Sequence, residues 1–270
     1  MARIISTLAR KGGVGKTVTA SNLAAALALS GVSVLGVDAD PQGHFGAVLS
    51  LEPNADPDSP RRFAFLLSAC LATHGAADLA LHAVTVGPNL RLVPGDEISR
   101  EAERLIASRA ALLQAVSGFR AAADALGVDY VVIDSGPRGA LQDFAAAAAD
   151  VCVIPARCDY LGASAAFDAL SLTDTIRGLT GRRLVSWVLP TMYSGRERDS
   201  RRSLAGLSAE LGDRLLGPVP MRVKVSESIA AGVPIVRYDP DSDAAIAYLT
   251  AVDVITGRRG EYVEVNGGAA

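Results

Sequence analysis

Short apolar runs recur along the chain, and each is bounded by glycine, proline or charged residues. They are rich in valine, isoleucine and leucine and have the length of buried strands. The predicted strands are Ile4–Leu8, Val32–Val37, Leu90–Val93, Tyr130–Ile133, Val151–Ile154 and Leu184–Leu189, with a shorter candidate near Val219. Continuous rather than alternating apolar runs are typical of parallel strands that are covered on both faces.

Longer stretches with the helical spacing of apolar residues separate most of these strands. The clearest are Thr17–Ser30, Ala140–Ala149 and Ala163–Arg177, and a further helix is expected around Phe63–Leu71. Strands that alternate with helices predict an α/β fold with a doubly wound, mostly parallel sheet flanked by helices. The proline- and aspartate-rich stretch 52–60 is predicted to be a loop.

Composition adds limits to this fold. The 270 residues are 50% hydrophobic but only 5% aromatic, so the core must consist mainly of aliphatic side chains. This length suits a single α/β domain, predicted over residues 1–256 and followed by a flexible tail over 257–270. The cysteines Cys70, Cys152 and Cys158 show no metal spacing and are expected to be buried residues of a cytoplasmic protein. Neither a signal peptide nor a transmembrane span is expected.

The most informative motif follows the first predicted strand. Residues 10–17 read Arg-Lys-Gly-Gly-Val-Gly-Lys-Thr and lead directly into a predicted helix. Glycines allow backbone N–H groups to surround phosphate oxygens, and the helix N-terminus adds positive potential at the same place. Lys16 would neutralise the β- and γ-phosphates, and the Thr17 hydroxyl would bind Mg²⁺. The alternative is a glycine-rich turn without a ligand, and Lys11 by itself could be a solvated lysine at a loop edge.

Carboxylates follow two other predicted strands. Asp38 and Asp40 come after Val32–Val37, and Asp134 ends the strand Tyr130–Ile133. Ligands of open α/β sheets bind beyond the carboxyl ends of the strands, so these groups should face the phosphate loop. An apolar strand with a terminal aspartate is the Walker B arrangement, in which the aspartate holds Mg²⁺ through water. For Asp38 and Asp40, an Asx-type turn remains a structural alternative.

The motif Lys-Gly-Gly-Val-Gly-Lys-Thr, beginning at Lys11, resembles that of the deviant Walker A P-loop NTPases, a group that includes ParA/Soj, MinD and the nitrogenase iron protein. In that group the first lysine crosses a dimer interface to the partner's nucleotide, so the resemblance implies an ATP-dependent homodimer. Asp38-Ala39-Asp40-Pro41-Gln42-Gly43 resembles the switch segment of ParA proteins. The match implies that Asp40 positions the attacking water and that Asp38 lies near the metal.

The second half of the sequence narrows the resemblance to short chromosomal ParA/Soj proteins without an N-terminal DNA-reading domain. Residues 191–196, Thr-Met-Tyr-Ser-Gly-Arg, and residues 220–227, Pro-Met-Arg-Val-Lys-Val-Ser-Glu, are similar to segments of that group, in which Pro220 and Arg222 would lie against adenine. Three residues depart from the pattern. Val18 replaces a hydroxyl that binds phosphate, Gly136 replaces a proline after Asp134, and Arg222 replaces an asparagine that can accept a hydrogen bond.

The site assignments combine the motifs and this resemblance. The catalytic residues are predicted to be Lys11, Lys16 and Asp40, and the Mg²⁺ site to comprise Thr17, Asp38 and Asp134. The residues predicted to bind ATP are Lys11, Gly12, Gly13, Val14, Gly15, Lys16, Thr17, Val18, Pro220 and Arg222.

Basic residues cluster in the second half of the chain, although the net charge of the whole chain is −3. On the resemblance, the residues predicted to bind double-stranded DNA without sequence preference are Arg196, Arg198, Arg201, Arg202 and Lys224. Lysine and arginine on a surface suffice for phosphate contacts. The alternative is a solvated, arginine-rich start of a helix.

The resemblance therefore implies a slow ATPase that dimerises on ATP, binds the nucleoid and partitions a chromosome or plasmid with a ParB-like adaptor protein. A positioner of another cargo, such as a protein organelle or receptor cluster, fits the same motifs. A MinD-like membrane-surface ATPase would need an amphipathic C-terminal helix, and the glycines and alternating acids after Gly257 disfavour one. A non-catalytic nucleotide switch is a further alternative because of Val18 and Gly136.

Overall fold

The computed structural model describes residues 1–50, 61–72 and 77–257. The strands in these ranges are β1 (Arg3–Thr7), β2 (Val34–Ala39), β3 (Val84–Gly87), β4 (Leu90–Val93), β5 (Tyr130–Ser135), β6 (Val151–Arg157) and β7 (Val185–Thr191). The helices are α1 (Lys16–Leu29), α2 (His44–Ala47), α3 (Phe63–Ala72), α4 (Leu79–His82), α5 (Ser99–Leu105), α6 (Arg109–Leu126), α7 (Ala140–Ala148), α8 (Tyr160–Thr180), α9 (Arg198–Leu211), α10 (Val223–Ala230), α11 (Ile235–Tyr238) and α12 (Asp243–Thr256), with a 3₁₀ turn at Gly212–Arg214.

The strands form one sheet in the order β3-β4-β2-β5-β1-β6-β7. Every neighbouring pair is parallel except β3 with β4. The predicted α/β fold with a doubly wound, mostly parallel sheet is therefore confirmed. Because β1, β2 and β5 are neighbours and run in the same direction, the segments that follow them meet at one edge of the sheet.

Helices cover both faces of this sheet, and this explains the continuous apolar strands. Along β5, Val131 and Ile133 join one buried cluster, whereas Tyr130 and Val132 join a second cluster on the opposite face. The first cluster contains the aromatic ring of Phe144, whose centroid lies 5.8 Å from that of Phe63. The second contains most of α1, which is alanine-rich because it lies between the sheet and α12.

Two details of the strand prediction are wrong. The sequence analysis omits β3, which forms a hairpin with β4 through Pro88 and Asn89; Asn89 adopts a positive φ of 56°. The expected strand near Val219 is absent from the described structure, where this region makes isolated bridges from Leu215 to Val188 and from Pro220 to Tyr193. Proline has no N–H to donate to a ladder, so Pro218 and Pro220 prevent regular pairing.

Further sequence expectations concern the cysteines, the C-terminal tail, the loop 52–60 and membrane spans. Cys70, Cys152 and Cys158 are buried and unbonded, as expected. Gly257 ends α12 with a positive φ of 71°, whereas the rest of the predicted tail and the whole of the predicted loop 52–60 lie outside the described residues. Among the described residues, no helix has both the length and the apolar character needed to cross a bilayer.

Packing between α3 and α6 generates a stability prediction. A Cβ on Gly118 would overlap the carbonyl oxygen of Cys70, which belongs to the facing helix backbone. Gly118→Ala should therefore reduce the free energy of unfolding by about 1–3 kcal/mol, the typical cost of overpacking.

The matched control is Gly206→Ala on α9, where a Cβ would meet nothing within 4 Å. This change should stabilise the protein by roughly 0.5–1 kcal/mol through helix propensity. Urea unfolding of both variants measures the difference, and equal midpoints would contradict the close approach of α3 and α6.

Candidate functional site

The phosphate loop connects β1 to α1 with a backbone that depends on glycine. Gly13 and Gly15 have φ values of 73° and 87°, which side-chain-bearing residues rarely adopt. Among the described residues, nothing lies within 4 Å of a Cβ built on Gly12, Gly13 or Gly15. The loop is therefore an open cradle rather than a packed turn.

The N-terminus of α1 points its free backbone donors at this cradle. Gly15 is the N-cap residue, no side chain of the described residues caps the helix, and the first turn contains no acidic residue. Lys16 begins the helix with only 9% of its surface exposed. Uncapped N–H groups together with a largely buried cation form a binding site for an anion such as phosphate.

Two buried side chains hold the cradle in place. The Thr191 hydroxyl at the end of β7 donates to the Val14 carbonyl at 2.9 Å. On the other side, the Gln142 amide on α7 donates to the Ala9 carbonyl at 2.9 Å. Sequence analysis assigned no role to Thr191 or Gln142, because each meets the loop only through the tertiary fold.

The strand register places Asp134 between Thr7 on β1 and Asp38 on β2. The Thr7 hydroxyl donates to Asp134 Oδ1 at 3.0 Å. Burial raises the pKa of Asp134 to about 6, while the Thr17 hydroxyl and the Lys16 charge act in the opposite direction. Asp134 Oδ2 is buried and has no hydrogen-bond partner within the described part of the chain.

These residues fit a magnesium ion bound beside a phosphate. A buried carboxylate oxygen without a partner and a nearby hydroxyl, that of Thr17, are the oxygen ligands that Mg²⁺ prefers. Within the described ranges, no group of three or more His, Cys, Asp or Glu could hold a metal by itself. Mg²⁺ commonly takes one or two protein ligands and completes its shell with phosphate and water.

Asp38 uses both carboxylate oxygens inside the protein. Oδ1 accepts the Asp40 N–H at 3.1 Å, and Oδ2 accepts the Phe45 N–H at 2.9 Å. Burial and the neighbouring Asp134 raise the pKa of Asp38 well above its usual value, and these two donors partly offset the shift. Asp38 therefore shapes the segment that follows β2, and its proximity to a metal stays a prediction.

Asp40 forms the Asx-type turn that the sequence left open as an alternative. Its Oδ1 accepts the Gln42 N–H at 3.0 Å, and its carbonyl accepts the Gly43 N–H at 3.0 Å. Gly95 lies beneath this turn, because a Cβ there would be 2.7 Å from the Asp40 carbonyl oxygen. A turn with this geometry leaves the second carboxylate oxygen of Asp40 available, so the catalytic role of Asp40 stays a prediction.

Gly136 follows the Asp134 strand and faces Asp40. A Cβ on Gly136 would lie 3.8 Å from the Asp40 carboxylate, and the residue is not among those with positive φ. Neither space nor backbone conformation therefore requires glycine here. Val18, the other departure within the phosphate region, packs against the second apolar cluster.

The residues predicted to contact adenine and DNA lie in adjoining segments. Backbone hydrogen bonds join Tyr193 to Val219 and Met221, at 3.0 and 2.8 Å, so the segment before α9 lies beside the segment before α10. Pro220 is half-buried, whereas Arg222 is exposed and forms an ion pair with Asp243. The adenine-contacting roles of Pro220 and Arg222 stay predictions.

The predicted DNA-binding residues are all exposed, and they lie in the segment before α9 and in the first turns of α9 and α10. They are Arg196, Arg198, Arg201, Arg202 and Lys224. Arg201 donates to the Gly195 carbonyl at 2.8 Å, and Lys224 forms an ion pair with Asp239 at 2.7 Å. The fold therefore brings the two basic segments together, but two of these five cations also have partners within the chain.

Comparison with known sequences identifies the family. Residues 5–235 match the CobQ/CobB/MinD/ParA nucleotide binding domain. The chain belongs to this family. It is 31% identical over 269 residues to the chromosome partitioning protein ParA of Caulobacter vibrioides, with 95% of each chain covered. It is 33% identical to the sporulation initiation inhibitor protein Soj of Bacillus subtilis, covering 92% of this chain and 96% of Soj. The predicted resemblance to ParA/Soj ATPases is confirmed.

Solved structures of several other proteins show the same fold. Apo McdA from Cyanothece superposes with a TM-score of 0.81 at 21% identity, covering 94% of this chain and all of that one. MinD from Pyrococcus horikoshii, complexed with Mg-ADP, gives 0.71 at 21% identity, covering 94% and 96%. Cobyrinic acid a,c-diamide synthase from Mycobacterium smegmatis, with bound ATP analogue and magnesium, gives 0.76 at 25% identity, covering 97% and 100%.

The buried charge of Asp134 generates a second prediction. A folded-state pKa of about 6, well above the ordinary value of an aspartate, means that the ionised carboxylate costs stability at neutral pH. Asp134→Asn should stabilise the nucleotide-free protein at pH 7 by about 1–3 kcal/mol. Between pH 4 and pH 6 the free energy of unfolding of the wild-type protein should fall as the pH rises, because the folded state holds the proton of Asp134 more tightly than the unfolded state does. The variant should not show this fall.

Urea unfolding at these pH values, without metal or nucleotide, measures the effect. The control is Asp168→Asn on α8, an exposed position where the change should stay within about 0.5 kcal/mol. A variant less stable than wild type at pH 7 would show that the ionised Asp134 stabilises the empty site.

Proposed function

We propose that this protein is an ATP hydrolase that dimerises on ATP, binds DNA without sequence preference and partitions a chromosome or plasmid. The observation that supports it most is the open, uncapped end of α1 opposite a buried carboxylate oxygen without a partner. An anion cradle and a magnesium ligand thus meet at one edge of the sheet. The named relatives ParA and Soj, each about as long as this chain, support the cellular role.

The ATP would bind with its phosphates in the glycine cradle and its adenine near Pro220. Lys16 and the backbone N–H groups would stabilise the charge that develops on the transferred phosphoryl group, which is the main source of catalysis in phosphoryl transfer. Thr17 and Asp134 would hold Mg²⁺, which supplies further charge neutralisation. Asp40 would orient the attacking water from the turn above Gly136. The bound ATP analogue, Mg-ADP and magnesium in family structures support this choice of ligands.

Dimerisation would bring two such sites face to face. Lys11 is half-buried at the front of the cradle and makes no ion pair within the described residues. Close to the same edge of the sheet, α8 begins with Tyr160 and Leu161, which are 85% and 61% exposed. An exposed apolar pair at the same edge of the sheet as Lys11, a lysine without an ion pair among the described residues, fits a dimer interface.

The DNA surface would consist of basic residues in the segment before α9 and in the first turns of α9 and α10. The hydrogen bonds of Tyr193 support this arrangement, because they join the segment that carries Arg196 to the segment that leads into α10 and Lys224. A dimer presents two copies of this surface, so its affinity for DNA exceeds that of a monomer. Such binding would keep the ATP-bound dimer on the nucleoid until an adaptor of the ParB kind stimulates hydrolysis.

The dimer is tested by Lys11→Ala. The variant should retain ATP, because Lys16 and the glycine cradle remain, but should stay monomeric in sedimentation with a non-hydrolysed ATP analogue. Wild-type protein should form a dimer with the analogue and not with ADP. Lys16→Ala is the comparison and should lose nucleotide affinity itself. A normal dimer peak for Lys11→Ala would contradict the proposed role of this lysine in dimerisation.

DNA binding is tested by charge reversal at Arg196. With ATP present, Arg196→Glu should weaken binding to every duplex alike, because phosphate contacts carry no sequence information. The slope of log affinity against log salt should flatten by roughly 0.9 for each lost contact. Arg61→Glu, a charge reversal at an exposed position two residues before α3, is the matched control.

Removing the ion-pair partner of Lys224 should have the opposite effect and raise the affinity for DNA. Asp239→Asn removes the carboxylate that holds this lysine, so DNA affinity should rise by about two- to fivefold, the size expected for an exposed pair. Fluorescence anisotropy with labelled duplexes measures both effects. Equal losses from the Arg196 and Arg61 reversals, or equal binding with ADP and ATP, would refute the proposed surface.

A further inference from the structure

Gln142 is a polar side chain buried at the junction of two functional loops. It is the third residue of α7, and its surface is completely buried. The helix around it is apolar, with Leu141, Phe144 and a run of alanines packed in the first cluster. A glutamine in such surroundings is costly unless all of its polar atoms have partners.

The polar atoms of the Gln142 amide form hydrogen bonds with two backbone carbonyls and one guanidinium group. Its Nε2 donates to the Ala9 carbonyl at 2.9 Å and to the Gly136 carbonyl at 3.1 Å. Its Oε1 accepts from the Arg10 guanidinium at 3.3 Å. Two carbonyl acceptors on one side and a guanidinium donor on the other fix the orientation of the amide, since only the NH₂ group can face the carbonyls.

These partners belong to the two loops that would act on the nucleotide. Ala9 and Arg10 directly precede Lys11, and Gly136 follows Asp134 and lies opposite the Asp40 carboxylate. A single side chain thus sets the distance between the front of the phosphate cradle and the loop beneath Asp40. The far side of the cradle is held separately by Thr191 at Val14.

We propose that Gln142 is a positioning residue that couples the loop after Asp134 to the front of the phosphate loop, so that turnover depends on it more than ATP affinity does. This inference rests on the proposed ATP hydrolysis. Phosphate affinity comes from the backbone of Gly12–Gly15, from Lys16 and from α1, which Gln142 does not touch. The geometry that it does control is that of Lys11 and of the surface facing Asp40.

Gln142→Met tests the proposal, because methionine has a similar volume and cannot donate to either carbonyl. Its kcat should fall by about 10- to 100-fold, the size expected when reacting groups are displaced by about 1 Å. The dissociation constant of a non-hydrolysed ATP analogue should change by less than about threefold, as expected for a group that acts on the chemical step.

The matched control is Ser186→Ala. Ser186 donates to Thr173 at 3.0 Å, a buried side-chain hydrogen bond on the far edge of the sheet. Its loss should lower the melting temperature without changing kcat. If Gln142→Met reduces kcat no more than Ser186→Ala does at a similar loss of melting temperature, Gln142 has only a structural role and the proposal is wrong.

A double mutant separates positioning from general damage. In an Asp40→Ala background, Gln142→Met should add little to the loss of turnover, because the group that it helps to position is already gone. Independent, multiplying effects on phosphate release would overturn the link to Asp40.

Hydrogen exchange distinguishes this inference from the proposed function. In the nucleotide-free protein, Gln142→Met should accelerate exchange in residues 8–11 and 135–139, and Ser186→Ala should not. If wild-type protein hydrolyses no ATP, the proposed function fails, while faster exchange of both loops would still support the coupling. Unchanged exchange in both loops would overturn the coupling whatever the turnover.

Discussion

Two carboxylates, Asp38 and Asp134, lie side by side in the register of β2 and β5, completely buried at the edge where the phosphate loop begins. Desolvation and repulsion from neighbouring carboxylates raise the pKa of both groups, and hydrogen bonds from the surrounding residues partly offset this effect. Asp38 is satisfied by the backbone of the segment after β2. Asp134 is satisfied on one side only, by Thr7 and the approach of Thr17, and its remaining oxygen fits a cation that arrives with a phosphate. Two buried carboxylates in this arrangement repel each other, and a bound cation would relieve the repulsion.

The same constraint connects the switch segment to the sheet. Because Asp38 accepts from Asp40 and Phe45, the turn that carries Asp40 is built on a buried carboxylate rather than on a free loop. Gly95 allows that turn to lie close against the segment after β4, where Asp96 is paired with the buried Arg62. Asp40 is therefore held from below by the Asp38 carboxylate and the Gly95 backbone, and it faces Gly136 from above.

Sequence reasoning succeeded where chemistry is local. The glycine and lysine spacing of residues 10–17 defines the cradle because its function depends on consecutive backbone positions, and the strand patterns located β1, β4 and β5 to within a few residues. It failed for residues whose role arises only from contacts between segments that are distant in the sequence. Thr191 and Gln142 lie 177 and 133 residues from their partners Val14 and Ala9. Thr191 belongs to a segment that resembles one of ParA/Soj proteins, but nothing in that segment pairs it with Val14. The hairpin strand β3 has a weaker local pattern, in which Gly87-Pro88-Asn89 separates a short valine-rich run from the predicted strand Leu90–Val93.

One departure from the ParA pattern, Gly136, acquires a physical explanation at this site. Gly136 needs no glycine for space or backbone conformation, and its carbonyl accepts a hydrogen bond from Gln142. A proline-rich loop is rigid through its own covalent rings, whereas a loop that contains glycine must be held by its neighbours to stay in one geometry. The buried amide of Gln142 supplies that restraint from outside the loop and links it to the segment in front of Lys11. Rigidity that other sequences place within a loop is, in this chain, provided by a side chain of the adjoining helix.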